Sequence, residues 1–415
     1  MDYFTYKNGS LYAEDIDINE LAKTLPTPFY CYSEQTLVRH YKVFAESFKD
    51  CDAQICYAIK ANDNIAILQR LAQLGSGADA VSIGEIMRAL KAGIPANKIV
   101  FSGVGKTVEE LTFALNQDIM QINIESEAEL LVLNDVAKSL NKKAPIAFRV
   151  NPDVDAKTHH KISTGRSHDK FGISYDKARE IYTKAASLPF IKVRAVAVHI
   201  GSQLTDLEPF KLAFTKIVEL VKLLRNDGHD ITHLDLGGGL GIPYSDKIPP
   251  SPHDYASMIK QVTKDLNCKL ILEPGRLIVG NAGILVTKVT YVKKTENGNF
   301  LILDAGMNNL IRPALYDAYH QIIPVIQNET AANFQYDIVG PICETGDVFS
   351  RDITLPEIKA GDLIVIRSAG AYGSVMSSTY NTRALIAEIM VNSNKFKIIR
   401  KAQTIKELIE RDIVD

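Results

Sequence analysis

The chain has 415 residues, 46% hydrophobic and 23% charged, with a formal net charge of −2. That length suits two domains with real cores, and the charge offers no basic excess for neutralising nucleic-acid phosphates. No run of about 18 apolar residues promises a membrane-spanning helix.

The opening stretch, MDYFTYKNGSLYAED, lacks the apolar segment of a secretory leader. Within it NGSLYAED reads as a hairpin-like turn, and residues 1–28 show little of the pattern that follows. From there short apolar or β-branched runs alternate with helix-period stretches. The runs are QICYAIK (54–60), ADAV (78–81), KIVFS (98–102), IMQINIE (119–125), PIAFRV (145–150), VRAVAVHI (193–200), ITHLDL (231–236) and KLILE (269–273). Between them lie helical stretches such as NIAILQRLAQLG, GEIMRALKAG, SEAELLVLNDVAKSL and FKLAFTKIVELVKLL. Alternating β and α predicts a parallel sheet. Eight units over about 250 residues predict a closed (β/α)8 TIM-type barrel, with an open doubly wound sheet as the alternative. The barrel is assigned to residues 29–280. After residue 280 strand follows strand, separated by turns such as ENGN and KAGD, until TIKELIERD near the end. This predicts an antiparallel β domain over 281–415. Because termini commonly lie close together, residues 1–28 are expected to join it. The fold class is therefore α/β, a barrel plus a C-terminal β domain.

Barrel chemistry sits at the C-terminal ends of strands. There the sequence places Lys60, Asp79, Ser82, Arg149, Asn151, His199 in HIGSQ, Gly237–Gly239 in GGGLG, and Glu273 in EPGR. Each has an ordinary reading: a solvated lysine, a core histidine, a tight turn, an ion pair of Glu273 with Arg276. Their coincidence on one rim points to one site. A lysine in a barrel mouth is biased toward the neutral amine that attacks carbonyls. Glycines at a strand end free backbone N–H groups for a phosphate. GGGLG is no dinucleotide fingerprint, because Ile242 breaks the spacing, and SGVGKT is no P-loop, because Val100 stands where Gly is needed. His159, His160 and His168 lie in a polar loop without a carboxylate cluster, so no metal is expected. The same loop, 151–170, is long and contains Gly165, which suggests a lid. Cys31, Cys51, Cys56, Cys268 and Cys343 form no CxxC pair. That argues against a disulfide framework and for a reducing cytoplasm.

A reactive lysine, a phosphate cradle, an imidazole and an acid together suit pyridoxal 5′-phosphate. YAIKAN, HIGSQ, GGGLG, EPGR and CETGD (343–347), in this order, resemble the fold type III pyridoxal-phosphate decarboxylases, and within them the diaminopimelate decarboxylases. The resemblance covers essentially the whole chain. It implies an alanine racemase-like fold and the conversion of meso-2,6-diaminopimelate to L-lysine and CO2, the last step of lysine biosynthesis. It implies that Lys60 forms the Schiff base and that His199 stacks on the ring. Asp79, Ser202, Gly238, Gly239, Gly275, Arg276 and Tyr372 would hold the cofactor, and Glu273 would pair with its ring nitrogen. Arg276, Arg312, Tyr316, Glu344 and Tyr372 would bind substrate, with the arginines on its distal carboxylate. Ornithine has no such carboxylate and would leave two cations unpaired. Cys343 would return a proton to Cα, and CETGD would come from the neighbouring subunit of a homodimer. The sequence departs from the family at VSIGE, where two glycines more often precede the Glu, and at the second Asn of GMNNL, where Asp is common.

Overall fold

The computed structural model describes residues 2–155, 164, 170–245, 247–296, 298–328 and 330–414. The chain forms two compact units. One comprises Met1–His40, Pro243–Lys247 and Ile278–Asp415; the other comprises Tyr41–Ile242 and Ile248–Leu277.

The first unit opens with an antiparallel three-stranded sheet of β1 (Phe4–Lys7), β2 (Ser10–Ala13) and β3 (Ile16–Asp17). Helix α1 (Ile18–Thr24) follows, capped by the Asp17 carboxylate on the Asn19 N–H, and then strand β4 (Phe29–Ser33). Helix α2 (Glu34–Glu46) contains the boundary between the units.

The barrel strands and their helices alternate, with one short extra strand after the fifth. They are β5 (Ala53–Ala58), α3 (Ile65–Gln73), β6 (Gly77–Ala80), α4 (Ile83–Lys91), β7 (Ile99–Phe101), α5 (Val108–Asn116), β8 (Gln121–Ile124) and α6 (Glu127–Ser139). Then come β9 (Ala144–Asn151), a short β10 (Ile173–Ser174), α7 (Ala178–Ser187), β11 (Ile191–Ala197), α8 (Glu208–Asn226), β12 (His233–Asp235), α9 (Pro252–Thr263) and β13 (Lys269–Leu272). All neighbouring pairs are parallel, and β13 pairs with β5, so the sheet closes; the open-sheet alternative is excluded. Helix starts follow capping chemistry. Ser82, Thr107, Ser126 and Ser251 each accept a hydrogen bond from an N–H three residues on, satisfying donors the first turn leaves open. On the outside of the barrel Phe210, Phe214, Tyr255, Phe44 and Phe48 pack ring on ring, with 5.0 Å between the Phe210 and Tyr255 centroids.

After the single turn α10 (Arg276–Val279) the chain returns to the first unit. Its long strand β14 (Gly283–Thr295) pairs with β4, with β15 (Gly298–Leu303) and with β19 (Leu363–Ile366). Helix α11 (Arg312–Tyr316), β16 (Ile322–Pro324), β17 (Asn333–Val339), β18 (Val348–Pro356), β20 (Ala387–Asn392), β21 (Lys395–Arg400) and α12 (Ile405–Ile409) complete it. The sheet is mostly antiparallel, but β4–β20 and β15–β17 run parallel. Residues 29–40, assigned to the barrel from sequence, fall in this unit instead. Strand β4 sits between β14 and β20, and Phe29 and Cys31 share a buried core with Phe4, Leu11, Ile284 and Val365.

Among the described residues no helix is long and apolar enough to cross a membrane, and no group of three or more His, Cys, Asp or Glu could hold a metal. Gly165, His159, His160, His168 and most of the loop expected as a lid lie outside the described residues.

Candidate active site

Strand β5 stops at Ala58, so Lys60 does not end the strand as the sequence suggested. It occupies the 3-10 turn Ile59–Ala61. Ile59 and Ala61 are fully buried and fix that turn, leaving Lys60 half-buried. Its Nζ lies 2.5 Å from Asp79 Oδ2, and the Asp79 side chain has no exposure at all. The other oxygen, Oδ1, has no hydrogen-bond partner among the described residues. Glu85 stands close by: its carboxylate accepts from the Val81 N–H at 2.8 Å, and burial pushes its pKa up to about 7. Ser82 proves to be the cap of α4.

His199 lies two residues beyond β11. The Gly238 N–H donates to its Nδ1 at 3.2 Å, so that nitrogen carries no proton. Burial, with the nearby charges of Arg149 and Lys60, holds the imidazole well below its usual range, and the ring is neutral. Gly237 and Gly239 have φ of 63° and 113°, conformations glycine adopts at little cost. A Cβ at Gly238 would stand 2.1 Å from the Glu273 carbonyl oxygen, so this turn tolerates no side chain. A Cβ at Gly275 would come within 3.0 and 3.1 Å of those of Ala61 and Ala58. Arg276 Nη2 donates to Ser202 Oγ at 3.1 Å. Arg149 instead pairs with Glu125 at 3.3 Å and donates to the His199 carbonyl, while Asn151 accepts from the Asp153 N–H, so both organise the rim.

Glu273 follows β13 directly and is buried. Its Oε1 has no hydrogen-bond partner among the described residues. Burial, reinforced by Asp235 and Asp79, raises its carboxyl well above the ordinary range. The barrel unit thus brings together Lys60 with Asp79, Ser202 with Arg276, and His199 with Gly238 and the Glu273 backbone. Sequence reading passed over Asp235, a buried acid inside the barrel that burial raises to about 6. Its one visible signal was a carboxylate in an apolar strand two residues before the glycines.

In the β unit, Arg312 opens α11 and is buried. Its Nη1 donates to Tyr244 Oη at 2.6 Å and lies 3.3 Å from His320 Nε2, with the guanidinium 4.7 Å from the Tyr244 ring centroid. Tyr316 closes that helix, half-buried. Tyr372 has φ of 55°, an uncommon conformation for a bulky residue. The stretch CETGD is a turn with its thiol exposed. The Cys343 N–H donates to Asn381 Oδ1 at 2.9 Å, and Glu344 accepts from Tyr380 Oη at 2.6 Å. Asp347, also unnoticed in the sequence, is buried and accepts from the N–H groups of Met307 and Ile342, both at 2.6 Å.

Residues 34–280 match the family described as pyridoxal-dependent decarboxylase, pyridoxal binding domain. The chain is similar to the diaminopimelate decarboxylase of Zymomonas mobilis, 50% identical over 411 residues that span 98% of this chain and 97% of that protein. Its structure resembles the crystal structure of diaminopimelate decarboxylase from Helicobacter pylori complexed with L-lysine: TM-score 0.92, 44% identity, 95% of this chain and 99% of that one. The diaminopimelate decarboxylase of M. jannaschii, in co-complex with L-lysine, matches with a TM-score of 0.95 at 39% identity, over 100% and 98% of the two chains.

Proposed function

Because the chain belongs to the pyridoxal-dependent decarboxylases, and among them to the diaminopimelate decarboxylases, we propose that it converts meso-2,6-diaminopimelate to L-lysine and CO2. This is the last step of lysine biosynthesis. When bound, pyridoxal 5′-phosphate supplies a protonated ring that delocalises the electron pair left on the substrate carbon as CO2 departs. The residues present fit that group. The observation that carries the reading is the buried Glu273 Oε1, without a hydrogen-bond partner among the described residues, beside a glycine turn that admits no side chain. An acid so placed suits a ring N–H, and a turn without side chains lets a phosphate approach the backbone.

The roles are those the family resemblance implies, and the chemistry of each residue suits its role. Lys60 anchors the aldehyde, and Asp79 holds its amine in place. Neutral His199 offers a ring face. Ser202, Gly238, Gly239, Gly275, Arg276 and Tyr372 hold the cofactor, the glycines through their backbone. Glu273 keeps the ring nitrogen protonated. Arg276, Arg312 and Tyr316 bind the distal carboxylate of the substrate, where a buried guanidinium gains most from a charged, bidentate partner. Glu344 pairs with the distal ammonium, and Tyr372 closes on the substrate as well. The Cα–carboxylate bond breaks, its electrons stay on the substrate, and the Sγ–H of Cys343 supplies the proton that replaces the carboxylate. We further propose a homodimer in which CETGD serves the neighbouring subunit, and a cytoplasmic location, which the five free cysteines favour.

The test offers meso-diaminopimelate, ornithine and arginine in parallel and records CO2. Release from diaminopimelate alone is expected, and release from ornithine instead would overturn the substrate. The purified protein should show a near-visible absorbance band that borohydride shifts and Lys60→Ala abolishes; a band that survives in Lys60→Ala would remove Lys60 as the anchor.

A further inference from the structure

Asp235 lies inside the barrel at the end of β12, 1% exposed, in register with Ile271 of β13. Glu273 is two residues past Ile271, so the pleat returns it to the same interior side as Asp235. The Glu273 N–H donates to the Gly237 carbonyl at 2.8 Å, two residues from Asp235, and the two buried carboxyls act on each other. Their other surroundings differ sharply. Asp235 Oδ1 accepts from the Gly237 N–H at 3.1 Å, and Oδ2 accepts from Asn123 Nδ2 at 3.0 Å and Gln121 Nε2 at 3.2 Å. Asn123 is itself held by a bond to Ser102 Oγ at 3.1 Å. Glu273 Oε1 has no hydrogen-bond partner among the described residues. Two buried acids in contact cannot both ionise cheaply. Three donors stabilise charge on Asp235, so in the cofactor-free chain the shared proton belongs on Glu273, and the pair keeps one negative charge to set against a protonated ring.

We propose that Asp235 is a positioning residue: the two carboxyls share one proton in a hydrogen bond, and this bond leaves Glu273 Oε1 as the acceptor for the cofactor ring nitrogen. The inference rests on the reading that Glu273 faces that nitrogen. Its new content is that the acid is half of a pair whose other half is fixed by β8 and the glycine turn. Of the other charged or titratable groups facing the pair, Asp79 of β6 acts on both acids and Lys60 on Glu273; both acids act on the Cys56 thiol, and Glu273 on the Tyr255 hydroxyl. Burial raises Asp235 to about 6 and holds Glu273 well above the ordinary carboxylate range. The folded chain therefore keeps a proton that the unfolded chain gives up near pH 4. The pair's contribution to stability is complete below that pH and is lost as pH rises through the folded-state values.

The experiment compares the cofactor-free full chain with Asp235→Asn, Glu273→Gln and the double variant, reading the melting midpoint from about pH 5 to 8. Relative to the double variant, the wild type should lose stability as pH rises. Either single change should remove most of that slope, Glu273→Gln doing so although Asp235 remains, because its amide donates to Asp235. Independent, additive shares from the two changes, or an Asp235→Asn curve parallel to the wild type, would overturn the pair. Asp235→Asn should also bind pyridoxal 5′-phosphate about tenfold more weakly in an absorbance titration, the scale of one lost orienting hydrogen bond. Unchanged affinity would refute the positioning role. If Asp235→Asn does not fold, Glu273→Gln decides alone, since a retained wild-type slope contradicts proton sharing. Should Glu273→Gln bind cofactor and turn over like the wild type, the underlying reading of Glu273 fails, whatever the slopes.

Discussion

Cys343 is the one exposed thiol of five. Burial raises the thiols of Cys31, Cys51, Cys56 and Cys268 above the usual range, which leaves them poor sources of reactive thiolate. Cys343→Ala should lower kcat by about a hundredfold, the lower range for a lost general acid, with cofactor absorbance retained. Unchanged turnover in a steady-state assay would remove it from the proton-donor role. Arg312→Lys tests recognition. It keeps the charge but loses the planar fork, so kcat/KM for diaminopimelate should fall about ten- to a hundredfold while cofactor affinity stays. Equal loss of both would make Arg312 structural. At this scale the sequence was most readable where one residue type has one use: a lysine or an acid at a strand end stands out in print. Asp235 and Asp347 did not, because their importance is burial and partners. Asp235 meets Glu273 across two strands, and Asp347 reaches back to Met307.

The elements carry the site by placing turns. The alternation of apolar runs and helical stretches disclosed all eight barrel strands, since burial on both faces demands β-branched runs. Their ends were less legible. Ile59 and Ala61 look like strand continuation, yet the chain coils there to present Lys60. Strand β4 could not be assigned from sequence, because its partners β14 and β20 lie some 250 and 360 residues away. The glycine turn gives an element-scale prediction. Gly238→Ala forces a methyl against the Glu273 carbonyl at 2.1 Å and should cost about 1–3 kcal/mol, read as a lower melting midpoint. It should weaken cofactor binding too. A variant as stable and as tightly loaded as the wild type would mean that the turn is not fixed by its contact with the Glu273 carbonyl.

For the whole molecule, the proposal of shared sites makes two inactive proteins a useful reagent. Lys60→Ala and Cys343→Ala lie on different sides of such a site. Mixed and reassociated, they should form heterodimers with one intact site each, restoring up to about a quarter of wild-type activity by random pairing. No recovery, with mixed dimers present by mass, would place both residues of a site in one chain. The buried Asp347 gives this arrangement a further meaning. Its carboxylate ties the amides of Met307 and Ile342, so the Cys343–Glu344 corner is already shaped within its own chain. A corner ordered beforehand brings no entropy of loop freezing to the moment of association. A second subunit would meet a rigid plug, and the proton donor would arrive by docking alone.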